Sequence, residues 1–188
     1  MRYCTFILIF VCLIASCAQK KSNKSTADNS ESDASFFPVG NYLLGDIETI
    51  KHQGISPKYV YVKNGNSDSS FLQLQDIDSS LSDFLIPMID SAGLSELVKE
   101  TKFYDESIES FTLSYDVQKD YFEKTSWRKW DVYINPETQK VDRIFLMKSI
   151  SDSTIAQLTW IPKSFAKVVI INNQNSLIVE EKTFIWNY

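Results

Sequence analysis

The spacing of apolar side chains along residues 36–188 changes its period partway through the chain. At the start it is helical: Val39, Leu43, Ile47 and Ile50 fall at i, i+4, i+8 and i+11. Pro38 suits the first helical position and Gly54 offers a stop, so an amphipathic helix of about four turns is expected here. Residues 58–63 (KYVYVK) and 69–75 (SSFLQLQ) flank Asn64-Gly65, a dipeptide that enters left-handed geometry cheaply and so marks a β-hairpin. Ser80-Leu81-Ser82-Asp83 matches a capping box ahead of Phe84-Leu85-Ile86, with Pro87 as a break and Gly93 as the end of the region.

Beyond this point the period is two. Residues 109–117 alternate, with Phe111, Leu113, Tyr115 and Val117 on one face and Ser110, Thr112 and Ser114 on the other. Further strands are expected at 127–135, 141–149, 154–161, 165–172 and 177–188. The breaks between them (NPETQK, SISDS, IPKS, NNQNS) are short and rich in turn formers, so sequential strands should pair antiparallel. The pattern predicts an α+β fold, with N-terminal helices packed on one face of a twisted antiparallel sheet that ends in a C-terminal β-meander. Residues 36–188 show no internal repeat and are expected to form a single globular domain.

The first 35 residues follow a different pattern. Arg2 supplies a minimal positive start, residues 6–14 (FILIFVCLI) are an unbroken apolar run, and Ala15-Ser16 precede Cys17. The run is too short for a membrane span, which needs about 20 apolar residues, and reads as a secretory signal. Leu13-Ile14-Ala15-Ser16-Cys17 resembles the lipobox of bacterial lipoproteins, and the resemblance covers the first 17 residues. It implies cleavage of 1–16 as signal peptide and a diacylglycerol thioether on Cys17. Cys12 fits less well, because Val11 before it is too bulky for a position that favours small residues. The overall organisation is also similar to that of the small envelope lipoproteins of bacteria, which share a signal and an α+β domain rather than one activity.

Residues 17–35 then form a lipidated Cys and a tether. Positions 18–35 hold no aromatic or large aliphatic side chain and cannot bury enough surface to offset chain entropy. As a coil this tether spans about 20–25 Å, keeping the domain near the bilayer. Lys20, Lys21 and Lys24 come first and Asp28, Glu31 and Asp33 later, which sets the basic half against lipid headgroups and favours an outer-membrane anchor facing the periplasm. The cysteines follow the same logic: Cys4 and Cys12 leave with the signal, Cys17 is lipidated, and 18–188 has none. The domain therefore relies on packing, without disulfide or thiolate chemistry.

Charge and composition narrow the function. The formal net charge is −5, and residues 36–188 hold 15 of the 19 basic and 21 of the 24 acidic residues, so nucleic acid is not an expected partner. The five glycines are isolated, which leaves no phosphate loop, and no G-x-S-x-G elbow is present. His52 is the sole histidine and falls in the last turn of the first expected helix, where a cation suits the helix dipole. Asp76, Asp78 and Asp83 lack the pattern of a calcium loop, and Asp76 and Asp78 read as caps of a strand-to-helix turn. No catalytic residue, metal site or cofactor is expected from this inventory.

All four Trp lie in the C-terminal half, at 127, 130, 160 and 186. Strict alternation places Trp130 in the core and Trp127 with Tyr133 on the solvent face, as a candidate ligand or partner surface. Two functions fit these observations. One is a non-catalytic, membrane-anchored lipoprotein that acts as a structural or protein-interaction module with an envelope partner. The other is a binder or carrier of a small hydrophobic or glycan ligand, held in a cavity between helices and sheet. A filled core with an exposed edge favours the first and an unfilled apolar cavity the second.

Overall fold

The structure, a computed structural model, describes residues 36–86 and 91–187. The signal 1–16, the lipid site Cys17, the tether 17–35 and the break at Pro87 lie outside the described residues. All the elements belong to one unit, Ser35–Tyr188. It is mostly β: a nine-stranded antiparallel sheet accompanied by a few short helices.

Helix α1 spans Val39–His52 and buries Val39, Leu43, Ile47 and Ile50, the stripe its spacing predicts. Pro38 sits one residue before the helix, and its carbonyl accepts the N–H of Tyr42 at 3.0 Å. At the other end Gly54 takes φ +68, with Ile55 N–H bonding back to Ile50 O and Gly54 N–H to Lys51 O. This pair of bonds closes the helix end and requires the left-handed residue that Gly54 supplies.

Strands β1 (Lys58–Lys63) and β2 (Asn66–Phe71) form the expected hairpin through Asn64 (φ 51) and Gly65 (φ 79). A two-residue turn starts the pairing at once, Lys63 opposite Asn66, so β2 begins three residues earlier than its polar sequence predicts. The segment after it also departs from expectation. A 3₁₀ turn at Leu74–Asp76, helix α2 (Ile77–Leu81) and a second 3₁₀ turn at Ser82–Phe84 replace a helix capped at Ser80. The stripe that is buried is Ile77, Leu81 and Phe84, and the Ser79 and Ser82 hydroxyls donate to carbonyls three residues back instead of capping. Gly93 lies inside a further helix, α3 (Ser91–Leu97), rather than ending the region.

The remaining strands are β3 (Val98–Asp105), β4 (Ser110–Val117), β5 (Trp127–Ile134), β6 (Val141–Ser151), β7 (Thr154–Ile161), β8 (Phe165–Asn172) and β9 (Leu177–Ile185). Their order across the sheet is β2-β1-β9-β8-β7-β6-β5-β4-β3. Strands β3 to β9 are therefore a meander, and β1 joins its far side with Lys58 opposite Ile185. Strand β3 escapes sequence detection because it is an edge: VKETKFYD alternates poorly and buries little beyond Val98.

One face of the sheet carries the core. Tyr115, Trp130, Ile144, Leu146, Leu158, Trp160, Val168 and Phe184 are buried in one cluster with the α1 stripe, Phe84 and Trp186. The Phe84 ring meets Trp160 edge-on at 5.4 Å, and Trp160 lies 4.9 Å from Trp186. Each large apolar side chain so buried contributes about 1.5–3 kcal/mol of transfer free energy.

Candidate functional site

The pairing of β1 with β9 sets Tyr59 opposite Phe184 and Tyr61 opposite Lys182. Their rings continue the core aromatics outward: Tyr59 is 5.1 Å from Phe184 and 6.3 Å from Tyr61, the latter pair nearly parallel at 19°. The 72–83 segment returns over this row and leaves an open cleft of about 280 Å³, lined by Tyr59, Leu72, Ser79, Ser80, Asp83, Lys182 and Phe184. Asp83 is held by Lys148 Nζ at 2.7 Å. Lys182 contacts Glu180 at 3.4 Å, and Lys63 reaches the same carboxylate at 3.3 Å. Burial pushes Glu180 up, but Lys63, Lys182 and Tyr61 outweigh it and hold the carboxyl below its usual range. Burial raises the Tyr59 phenol, with Lys182 opposing the shift.

A second feature is the β3–β4 hairpin at one edge of the sheet. Phe103, Tyr104, Ile108 and Phe111 are all large, apolar and exposed around its tip. Tyr104 and Phe111 form an edge-on pair at 5.2 Å, and Phe111 is still 50% exposed. Further exposed aliphatics, Leu177, Ile178 and Val179, begin β9 at the opposite end of the strands.

The expected surface of Trp127 with Tyr133 does not form. Trp127 is 6% exposed and lies in the core, because Arg128 is an extra residue in β5: Trp127 faces Lys148 and Lys129 faces Met147. This bulge shifts the alternation by one, so Trp127 joins Trp130 on the core face. Tyr133 is on the opposite face, partly buried, with the Arg143 guanidinium 3.9 Å above its ring. Burial raises its phenol, and Asp131 adds to the shift. The short polar residues of that face are the least exposed: Ser110, Thr112, Ser114 and Asp131 are buried. Thr112 sits between Phe103 and Tyr133, and Asp131 between Ser114 and Phe145, so longer cross-strand neighbours screen them. Asp131 forms an ion pair with Lys129 at 3.3 Å.

The other residues of sequence interest are structural. Asp76 precedes α2 without a side-chain cap, and Asp78 accepts from Lys51 Nζ at 2.8 Å, tying α1 to α2. His52 is exposed at the end of α1. Tyr59, Lys182, Phe103 and Phe111 had no local signal as site residues. The cleft depends on β1 meeting β9 across about 120 residues of sequence, which no short-range pattern reports. No family model, curated protein or solved structure matches this chain.

Proposed function

We propose that this chain is a lipid-anchored lipoprotein of the bacterial envelope, on the outer membrane facing the periplasm, whose domain is a non-catalytic protein-interaction or structural module. The lipobox-like Leu13-Ile14-Ala15-Ser16-Cys17 supports the anchor on Cys17. In this reading the helices cover one face of the sheet, and the free edges are what an envelope partner meets. The observation that carries it is the contrast between a filled interior and an apolar hairpin. Trp130, Trp160, Trp186, Tyr115 and Phe84 fill the space beside α1, while Phe103, Tyr104, Ile108 and Phe111 stand exposed at an open edge. A filled core favours this reading over an internal carrier cavity. An unpaired edge strand with exposed aromatics is a surface on which a partner strand gains both backbone hydrogen bonds and apolar contact.

The test is a photocrosslinking residue placed at Phe111 in cells, with a control at Ser67 on the opposite edge. A discrete crosslinked band at 111 that is absent at 67 is expected. Equal, smeared crosslinking at both positions contradicts the reading.

A further inference from the structure

We infer that the open cleft between the 72–83 segment and strands β1 and β9 is a binding site for a single sugar ring. The proposal stands independently of the lipid anchor and of the β3–β4 hairpin.

The cleft is built of two kinds of group. Its apolar part is Leu72 with Tyr59 and Phe184, whose rings lie 5.1 Å apart, and Tyr61 stacks beside Tyr59. The negative face of such a ring attracts the slightly positive C–H face of a pyranose. Its polar lining comes from the other wall and from β9: Ser80, Ser79 (its hydroxyl also donating to Asp76 O), Asp83 (paired with Lys148) and Lys182 (paired with Glu180). A carboxylate only accepts, an ammonium only donates and a hydroxyl does both, which is the mixture a ring of sugar hydroxyls requires. At about 280 Å³ the cleft is at the lower limit for small-molecule sites and suits one ring rather than a chain of rings or a lipid tail. A purely apolar ligand would displace water from Ser80, Asp83 and Lys182 without replacing its hydrogen bonds. A phosphorylated ligand would meet the Asp83 carboxylate in the lining and Glu180 beside Lys182, which repel it.

The experiment titrates the full-length chain in a zwitterionic detergent with glucose, N-acetylglucosamine or glucuronate, followed by chemical-shift changes; glycerol, which has hydroxyls but no ring face, is the control. Saturable binding of at least one sugar with a dissociation constant on the order of 1 mM is expected, as a ligand of a dozen heavy atoms allows. Tyr59→Ala weakens it roughly tenfold or more, as loss of an aromatic anchor does. Ser80→Trp fills the cleft and abolishes binding, and it serves as the deciding variant if Tyr59→Ala does not fold. Ile171→Ser, on the other face of the sheet, leaves binding unchanged. The inference is overturned if none of the three sugars saturates the folded wild type by about 100 mM, if glycerol binds as well as they do, or if binding survives Ser80→Trp.

Discussion

Trp160 is fully buried, and its indole N–H donates to Asp46 Oδ2 at 2.8 Å. Burial raises the Asp46 carboxyl above its usual range, partly offset by that hydrogen bond and by Lys163. The charged form is therefore disfavoured in the folded state, and the stability this group contributes is present in acid and lost as pH rises through its folded value. Asp46→Asn keeps an acceptor for Trp160 and removes the charge, so its urea midpoint should match or exceed wild type at pH 7. Asp46→Ala orphans a buried N–H and should cost about 1–3 kcal/mol. If Asn and Ala are equally destabilised, the hydrogen bond is not what Asp46 supplies. Tyr115 carries the opposite end of the pH range. Its phenol oxygen accepts the Phe37 N–H at 3.0 Å, and burial drives its ionisation well above the usual tyrosine range, with Glu100 adding to the shift. A raised folded value means stability that is complete below about pH 10 and lost above it. Tyr115→Phe should flatten the loss of urea midpoint between pH 9 and pH 11; an unchanged slope assigns alkaline unfolding to other groups.

Strand β5 shows at the scale of an element what alternation can and cannot reveal. The strands themselves were legible: 154–161 and 165–172 agree with the observed bounds, and the Asn64-Gly65 turn and the α1 stripe follow directly from local chemistry. The face of Trp127 was not, since a single extra residue reverses every side chain before it, and a bulge leaves no compositional mark. Arg128 is held there by its guanidinium, which donates to Thr125 O at 2.7 Å and Trp127 O at 3.0 Å and covers the Phe122 ring at 4.4 Å. Deleting Arg128 should restore strict alternation with Trp127 still on the core face, two places before Trp130, at a cost well below the roughly 3–5 kcal/mol of truncating a buried Trp. An unchanged Trp emission maximum, with only a modest drop in melting temperature, checks it; a red shift of one Trp contradicts the bulge. Strand β3 was hidden for a different reason, because an edge strand buries little and so carries little pattern.

At the scale of the whole molecule, the domain closes by joining its beginning to its end: β1 follows α1 and pairs with β9. One face of the sheet carries the aromatic core, while the sheet ends in two edges of different character. Strand β2 is exposed throughout and mostly polar, which discourages pairing, whereas β3 and its hairpin expose Phe103, Tyr104, Ile108 and Phe111. Replacing Phe103 and Ile108 by Ser should leave stability within about 1 kcal/mol, since both are surface positions, while removing the crosslink expected from position 111. The cleft beside β1 and β9 was illegible in sequence because its walls come from distant segments, and the Cys17 anchor is the reverse case, a claim carried by sequence alone.

That anchor decides whether the exposed hairpin works at a membrane, and acyl labelling tests it most directly. Cells producing the full chain are fed an alkyne fatty acid, and the purified protein is weighed intact beside Cys17→Ala. The account predicts label on the wild type, a mass corresponding to residues 17–188 plus acyl groups, and neither in the variant. Equal labelling of Cys17→Ala, or an unlabelled wild type of unmodified mass, would contradict it.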